Sequence, residues 1–98
     1  MSKSNLFAIA ESLPQAWRST IVGRAGNSNI KVLRMDACAY PDECHDFDEA
    51  LLVLSGHMLL ALGGDIVRVE AGEVYIVPAG VPHAVAAGSD GVLAIIDR

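Results

Sequence analysis

Residues 72–83 read GEVYIVPAGVPH, and this stretch decides the fold class. The apolar and β-branched residues at 74–77 are typical of a short strand, and Pro78 with Gly80 predicts a tight turn directly after it. Pro82 stiffens the chain before the next strand and so fixes the direction in which His83 points. The stretch therefore predicts two short strands joined by a turn, with one histidine held in a defined orientation.

Short runs of the same kind extend along most of the chain. They are rich in apolar and β-branched residues, and turns that contain glycine, asparagine or aspartate separate them. The strands predicted in this way cover residues 17–22, 29–35, 49–54, 57–62, 66–70, 73–77, 83–86 and 92–96. A short helix or helical turn is predicted at 5–12, ahead of Pro14. Eight short strands in 98 residues indicate a β-sandwich or barrel rather than parallel strands with crossover helices.

The length of the chain, 98 residues, is that of one domain. We therefore expect a single all-β domain over residues 1–98, with an N-terminal arm of about residues 1–16 and a barrel of about residues 17–98. Hydrophobic residues make up 52% of the sequence, which is above the usual average for a soluble protein. Some of that apolar surface is expected to meet another subunit, and a homodimer is the expected assembly.

The charge pattern excludes several classes of partner. The net charge is −5 and no cluster of Lys and Arg is present, which argues against binding to nucleic acid or to an anionic membrane. The longest apolar runs fall far short of the roughly 20 residues that cross a bilayer. No secretory signal is visible, and the two cysteines, Cys38 and Cys44, are interpreted as reduced thiols in the cytoplasm. A small molecule is the expected ligand.

Residues 40–56 read YPDECHDFDEALLVLSG and carry most of the chemistry. Side chains alternate along a strand, so Glu43, His45 and Glu49 face the same side if this segment is one continuous strand. His83, from the other stretch, is a further candidate ligand, and the four side chains are predicted to converge on one ion. Cys44 has the opposite parity and is predicted to be a packing residue.

These two stretches resemble the paired motifs of the cupin superfamily. The first motif runs Gly, five residues, His-x-His, three or four residues, Glu, six residues, Gly. The second runs Gly, five residues, Pro-x-Gly, two residues, His, three residues, Asn. Seven positions match at the family spacing: His45, Glu49, Gly56, Gly72, Pro78, Gly80 and His83. The resemblance implies a cupin jelly-roll β-barrel, often dimeric, whose mouth holds a metal bound at the matching His and Glu positions.

Three motif positions differ from the family pattern. Ala37 stands in place of the opening Gly and Ala87 in place of the closing Asn, and both changes concern turns more than chemistry. Glu43 stands in place of the first His, which adds a carboxylate and a negative charge to the implied ligand set. Three interpretations of Glu43 stay open. It is a metal ligand, or it is a solvated residue at the rim of the site, or a register slip of one residue makes its neighbour Asp42 the ligand instead.

The implied ligand set is therefore Glu43, His45, Glu49 and His83. Two carboxylates and two imidazoles suit a divalent transition metal such as Fe(II), Mn(II), Ni(II) or Zn(II), and the sequence does not choose among them. Open coordination positions would hold water or a substrate with two donor atoms, as in oxygenase or Lewis-acid chemistry.

Three functions fit this site. The first is a metal-dependent enzyme of dioxygenase or isomerase type that acts on a small polar metabolite. The second is a small-ligand-binding or sensing module without catalysis, and the third is a metal-free structural barrel. The sequence does not identify the substrate, and it does not place basic residues such as Lys31 in the pocket. Trp17 is interpreted as a core or interface aromatic residue.

Overall fold

A computed structural model describes residues 2–98. In chain order the elements are α1 (Leu6–Ser12), β1 (Thr20–Ala25), β2 (Ser28–Asp36), β3 (Tyr40–Glu43), β4 (Glu49–Leu62), β5 (Asp65–Glu70), β6 (Val74–Val77), β7 (His83–Val85) and β8 (Asp90–Asp97). All the strand pairs are antiparallel. The prediction of an all-β barrel with a short N-terminal helix is confirmed.

Helix α1 packs on β2 and β8. Asn5 caps its start, because the side-chain oxygen accepts a hydrogen bond of 3.1 Å from a backbone amide of the first turn. The helix ends ahead of Pro14, since the residue before a proline favours an extended backbone. Arg34 on β2 donates to two carbonyl oxygens at the C-terminal end of the helix and so fastens it to the sheet. Within residues 2–98, no helix has the length and the apolar character needed to cross a membrane.

The sheet curls around β4, its longest strand. The strand order is β1-β2-β8-β4-β7-β3, and β5 and β6 pair with β4 away from this path. The inward faces of the strands meet in one apolar core. Its most deeply buried side chains are Met35, Val53, Met58, Leu60 and Val77. Burial of each such side chain contributes about 2 kcal/mol of transfer free energy, so this core is what keeps the barrel closed.

Strand β4 is continuous over 14 residues, whereas the sequence predicted two strands, 49–54 and 57–62. It changes partner along its length, because β6 pairs with residues 49–52 and β5 with residues 57–62. An irregularity between Val53 and Ser55, followed by Gly56 at a φ of 71°, lets the strand bend without ending. The two-strand prediction was wrong because a glycine that bends a strand has the same local pattern as one that ends it.

Gly56 of β4 lies against Gly91 of β8. A Cβ atom at Gly56 would lie 2.0 Å from the carbonyl oxygen of Asp90, and one at Gly91 would lie 2.0 Å from that of Ser55. Both distances are far below van der Waals contact, so only glycine fits at either position. This glycine crossing holds β4 and β8 close together where β4 bends.

Strands β1 and β3, which precede the site in the chain, also differ from the sequence prediction. Strand β1 begins at Thr20 rather than at residue 17, because Trp17 has a φ of 67°, which lies outside the strand region. Strand β3 was not among the predicted strands, and it ends at Glu43. Residues 44–48 are irregular, so the continuous strand assumed for Glu43, His45 and Glu49 is wrong.

Candidate metal centre

Strand pairing brings the two motif stretches together. Glu43, the last residue of β3, lies opposite His83, the first residue of β7. Glu49 is the first residue of β4, and His45 lies in the loop that leads from β3 to β4. The amide of Gly80 donates to the carbonyl oxygen of His45 at 2.8 Å, which ties this loop to the turn before β7. The ends of three strands and one loop therefore meet at a single place.

The four side chains form a compact cluster. One potential ligand atom from each lies within 4.8 Å of the others. His45 Nε2 is 3.4 Å from Glu43 Oε2 and 3.7 Å from Glu49 Oε2. His83 Nε2 is 3.2 Å from Glu49 Oε1. Bonds of about 2.0–2.2 Å to one ion hold ligand atoms about 3 to 4.4 Å apart, so only small side-chain movements are needed to surround an ion.

His83 is held with its Nε2 atom toward the cluster. Its Nδ1 atom is 3.1 Å from the carbonyl oxygen of Val81, and because a carbonyl only accepts, Nδ1 carries a hydrogen. In the neutral ring Nε2 then has a lone pair, and it faces a Glu49 oxygen at 3.2 Å. Two atoms with lone pairs at that distance need a proton or a cation between them. Metal-ligating histidines are commonly fixed in this way, with the other ring nitrogen bound to a backbone carbonyl.

His45 also presents an unpaired nitrogen to the cluster. Its Nε2 atom is buried and makes no hydrogen bond within residues 2–98, although Glu43 Oε2 lies 3.4 Å away. The ring stacks on Phe47, with centroids 4.9 Å apart and planes 10° apart. A buried polar atom without a hydrogen bond is uncommon in proteins and points to an ion, a water or a chemical role. Stacking thus sets the ring orientation and leaves the nitrogen free to bind an ion.

The two acids of the cluster have different surroundings. Glu49 is only 6% exposed, and burial raises the pKa of its carboxyl above the usual value, although His45 and His83 oppose that shift. Glu43 lies at the rim with 38% of its side chain exposed. Its negative charge is the main reason why the pKa of the Tyr40 phenol is raised. The cluster therefore combines the desolvated carboxylate of Glu49, whose negative charge a bound cation would stabilise, with the carboxylate of Glu43, which is accessible to water.

All four side chains selected from the sequence come together in the structure. Glu43 rather than Asp42 belongs to the cluster, and Asp42 is exposed. The structural reason for this convergence differs from the prediction. Glu43 lies beside His83 because β3 pairs with β7, and not because the side chains alternate along one strand. Cys44 is exposed, so its predicted packing role is wrong.

The cluster forms part of the wall of a cavity of about 180 Å³. The rings of Trp17 and Tyr40 also line it and stack on each other with centroids 5.6 Å apart. Lys31 and Asp97 contribute an ion pair with 2.9 Å between Nζ and Oδ2. The remaining lining is mainly aliphatic: Leu33, Leu51, Met58, Val85, Leu93 and Ile95. The cavity is therefore an apolar space with a few polar groups, as small-molecule sites usually are.

Four of the polar and aromatic cavity residues named above were missed in the sequence, and Tyr40 is one of them. Trp17 was interpreted as a core or interface residue, Lys31 was left unplaced, and Asp97 belongs to no motif. In the structure Lys31 pairs with Ile95 across β2 and β8, and Asp97 shares the parity of Ile95, so both side chains lie on the inward face. No local sequence pattern sets this register. Trp17 gives no sequence signal either, since it precedes the first strand.

Comparisons with known proteins agree with this fold. The family model described as "Cupin domain" matches residues 33–97. Among solved structures, a cupin-2 domain-containing protein from Shewanella frigidimarina has 23% identity and a TM-score of 0.86, with 95% of this chain and 91% of that chain covered. A putative mannose-6-phosphate isomerase from Ralstonia eutropha has 23% identity and a TM-score of 0.82, with coverage of 99% and 97%. An RmlC-like cupin from Desulfovibrio desulfuricans has 22% identity and a TM-score of 0.80, with coverage of 100% and 96%.

These solved structures are less than 25% identical to the chain, so they establish the fold alone. No protein of curated function matches the sequence. The family match is the stronger finding, because it spans most of the chain and includes all four residues of the cluster. The resemblance read from the two motifs is thereby confirmed, and the chain belongs to the cupin domain family.

Proposed function

We propose that this protein binds a divalent transition metal through Glu43, His45, Glu49 and His83, and that it converts a small polar molecule at this ion by dioxygenase- or isomerase-type chemistry. The observation that carries the proposal is the convergence of four donor atoms within 4.8 Å, with His45 Nε2 buried and unpartnered. Two imidazoles and two carboxylates suit Fe(II), Mn(II), Ni(II) or Zn(II). When bound, the metal supplies Lewis acidity toward an oxygen of the substrate.

The chain's own residues have separate tasks in this proposal. His83 and Glu49 hold the buried side of the site, and the aliphatic lining limits bulk water around it. The Tyr40 phenol is protonated at neutral pH, the nearby charge of Glu43 raises its pKa further, and the hydroxyl acts as a hydrogen-bond donor at the cavity wall. The ring of Trp17 offers a flat surface to the body of the ligand.

A second candidate function is ligand binding at the same metal site without catalysis. The observation that favours it is the lack of a free acid or base, outside the cluster, among the cavity residues that the structure describes. Within residues 2–98, the ionisable groups that line the cavity outside the cluster are Tyr40, Lys31 and Asp97. General acid–base catalysis needs a group that is free to exchange a proton. Lys31 and Asp97 are paired with each other and the pKa of Tyr40 is raised, so the cavity also suits binding alone.

Metal content is the first test of the proposal. Wild-type protein loaded with Ni(II) and washed should retain about one equivalent by elemental analysis, and His45→Ala should retain far less with an unchanged circular dichroism spectrum. His57→Ala is the matched control, because His57 lies on β4 outside the cavity lining. Retention of less than about a tenth of an equivalent by the wild-type protein contradicts both candidate functions.

Turnover separates the two candidates. Metal-loaded and chelator-treated samples are incubated with a mixture of sugars, hydroxy acids and oxo acids, in air and without oxygen, and followed by mass spectrometry. A product that requires the metal supports the enzyme, and its dependence on oxygen distinguishes a dioxygenase from an isomerase. A compound that co-purifies with the metal-loaded protein and stays unchanged supports the binding module.

We also propose a homodimer formed through the outer face of β4 and β6. Val74 and Ile76 of β6 are each 53% exposed, and they lie opposite Leu52 and Ala50 of β4. Apolar side chains that share one exposed sheet face favour burial against a second copy of the chain. Analytical ultracentrifugation should show a dimer for the wild-type protein and a monomer for Ile76→Lys. A monomeric wild-type protein contradicts this part of the proposal.

A further inference from the structure

An ion pair lies in the cavity wall and takes no part in the cluster. Lys31 on β2 and Asp97 on β8 both line the cavity, and their Nζ and Oδ2 atoms are 2.9 Å apart. The pairing of these strands puts Lys31 opposite Ile95, so Asp97 is its diagonal neighbour on the same face of the sheet. The cavity therefore has two polar regions, the cluster and this pair, within a mainly aliphatic lining.

The pair is too buried to act as an ordinary surface ion pair. Only 3% of the Asp97 side chain and 22% of the Lys31 side chain are exposed. Removing two charges from water is costly, and aliphatic residues of similar volume often stabilise a fold at least as well. The residues around the pair on the inward face, Leu33 and Ile95, are aliphatic. Stability of the barrel alone therefore does not explain why two charged residues lie here.

One oxygen of Asp97 lacks a partner. Oδ2 accepts from the Lys31 ammonium, whereas Oδ1 is buried and has no hydrogen bond within residues 2–98. An ammonium group carries three donors, and Asp97 takes one of those of Lys31. Buried acceptors without a partner are uncommon, and each calls for a water, an ion or a ligand group that completes it, or for another physical reason. The pair thus has an acceptor and donors that no hydrogen bond within residues 2–98 uses.

We propose that Lys31 and Asp97 form a second subsite for the ligand of the metal cluster, and that this subsite recognises a hydroxyl group. The inference rests on the proposed function. A hydroxyl donates to Asp97 Oδ1 and at the same time accepts from Lys31 Nζ. A carboxylate has no hydrogen to donate and is repelled by Asp97, whereas an ammonium group has no lone pair to offer and is repelled by Lys31.

The charge of the cavity favours a neutral ligand. Ionised Glu43 and Glu49 balance the two charges of a divalent metal, and Lys31 and Asp97 balance each other. A net charge on the ligand would remain uncompensated in a space of about 180 Å³ whose walls are partly aliphatic. The ligand class is therefore a small neutral molecule, such as a hydroxy ketone or a polyol, with a metal-coordinating group at one end and a hydroxyl at the other.

Four hydroxamic acids with the same metal-binding end and chain length test the subsite. The terminal group is a hydroxyl in 3-hydroxypropanohydroxamic acid, a methyl in butanohydroxamic acid, a carboxylate in succinic monohydroxamate and an ammonium in β-alanine hydroxamate. Their affinities for the Co(II)-loaded protein are measured from its visible absorption. The hydroxyl-ended probe should bind about three- to tenfold more tightly than the methyl-ended probe. Each probe binds the ion as a hydroxamate anion, so the comparison concerns the end group alone. The hydroxyl-ended probe should also bind more tightly than the carboxylate-ended probe, and a second set with one more methylene covers a longer reach.

The double variant Lys31→Met/Asp97→Leu is the control for this preference. Both charges are removed together, so neither is left alone in the cavity wall. Its Co(II) content and circular dichroism spectrum report whether the cluster and the fold persist. In this variant the ratio of the hydroxyl-ended to the methyl-ended affinity should fall to about one, because the hydrogen bonds that favour the hydroxyl are gone.

Each outcome decides the inference. Equal wild-type affinities for the hydroxyl-ended and methyl-ended probes, at both chain lengths, overturn it and leave the metal site intact. A hydroxyl preference that persists in the double variant also overturns it, because the preference then arises elsewhere. If no probe binds and the protein holds no Co(II), the proposed function itself fails and the subsite inference fails with it.

Discussion

Strand β4 carries two motif residues with different roles: Glu49 belongs to the candidate metal site, and Gly56 is required by the packing of the backbone. At its start, Glu49 places a carboxyl in the cavity wall, where burial disfavours its charge. Further along, Gly56 has no side chain and passes close to the backbone of β8. The first residue is suited to chemistry and works against the stability of the metal-free protein, whereas the second is required by the path of the strand. Two positions of one motif therefore differ in what a substitution should disturb.

Gly56→Ala is expected to have the largest effect on folding. The new Cβ atom would lie 2.0 Å from the carbonyl oxygen of Asp90, and the backbone of β8 would have to move to relieve the clash. We expect the free energy of unfolding, measured with urea, to fall by about 4 kcal/mol or more. Gly63→Ala is the matched control, because Gly63 has a φ of 62° and no neighbouring atom within 4 Å. It should lose only about 1 kcal/mol, and similar losses for both variants would contradict a steric role for the glycine crossing.

His83→Ala tests the metal-binding role of the candidate site. Loss of one imidazole ligand should weaken Ni(II) binding by about 100-fold or more, which corresponds to about 3 kcal/mol. Competition with a chromogenic chelator measures this affinity, and His57→Ala serves as the control. An affinity unchanged by the loss of His83 would mean that this ring has a packing role only.

Glu49→Gln should stabilise the metal-free protein at neutral pH by about 1 kcal/mol. Burial raises the pKa of Glu49 above its usual value of 4.5, so the folded protein retains a proton that the unfolded chain releases. The stability from this group is therefore present below pH 4.5 and is lost as the pH rises through the raised pKa.

Urea unfolding between about pH 4 and pH 8 with a chelator present checks this sign. The wild-type protein should lose stability relative to Glu49→Gln as the pH rises. Glu11→Gln on the exposed side of α1 is the control and should follow the wild-type profile. Parallel profiles for all three proteins would show that Glu49 is not desolvated in the folded state.

Ala37→Gly should have the smallest effect, and it should be stabilising. Ala37 stands where the family pattern has glycine, and its φ of 71° strains an alanine by about 1–2 kcal/mol. Part of the relief is offset by the greater freedom of glycine in the unfolded chain, so we expect a net gain of about 0.5–1 kcal/mol in thermal or urea unfolding. Ala39→Gly, at a position without positive φ, should instead lose about 0.5 kcal/mol. A loss of stability in both variants would contradict the strain at Ala37.

The sequence predicted those parts of the molecule that depend on local signals. Pro78 and Gly80 fix a turn, and the motif spacings at Glu49 and His83 carry the resemblance to the cupin superfamily, which implied the barrel and the cluster. The bend at Gly56 was not predictable, because its cause is the backbone of β8, which is distant in sequence. The Lys31–Asp97 pair joins residues on two strands far apart in the chain, and it depends on a register that no local pattern sets.

The position of Trp17 has a practical consequence. The chain contains a single tryptophan, and its ring lines the cavity beside Tyr40. Fluorescence excited in the indole band therefore reports on this one region. A paramagnetic ion in the cluster should quench the emission, and a ligand that alters the stacking on Tyr40 should shift its wavelength. Titrations of metal and ligand can thus be followed optically without attaching a dye.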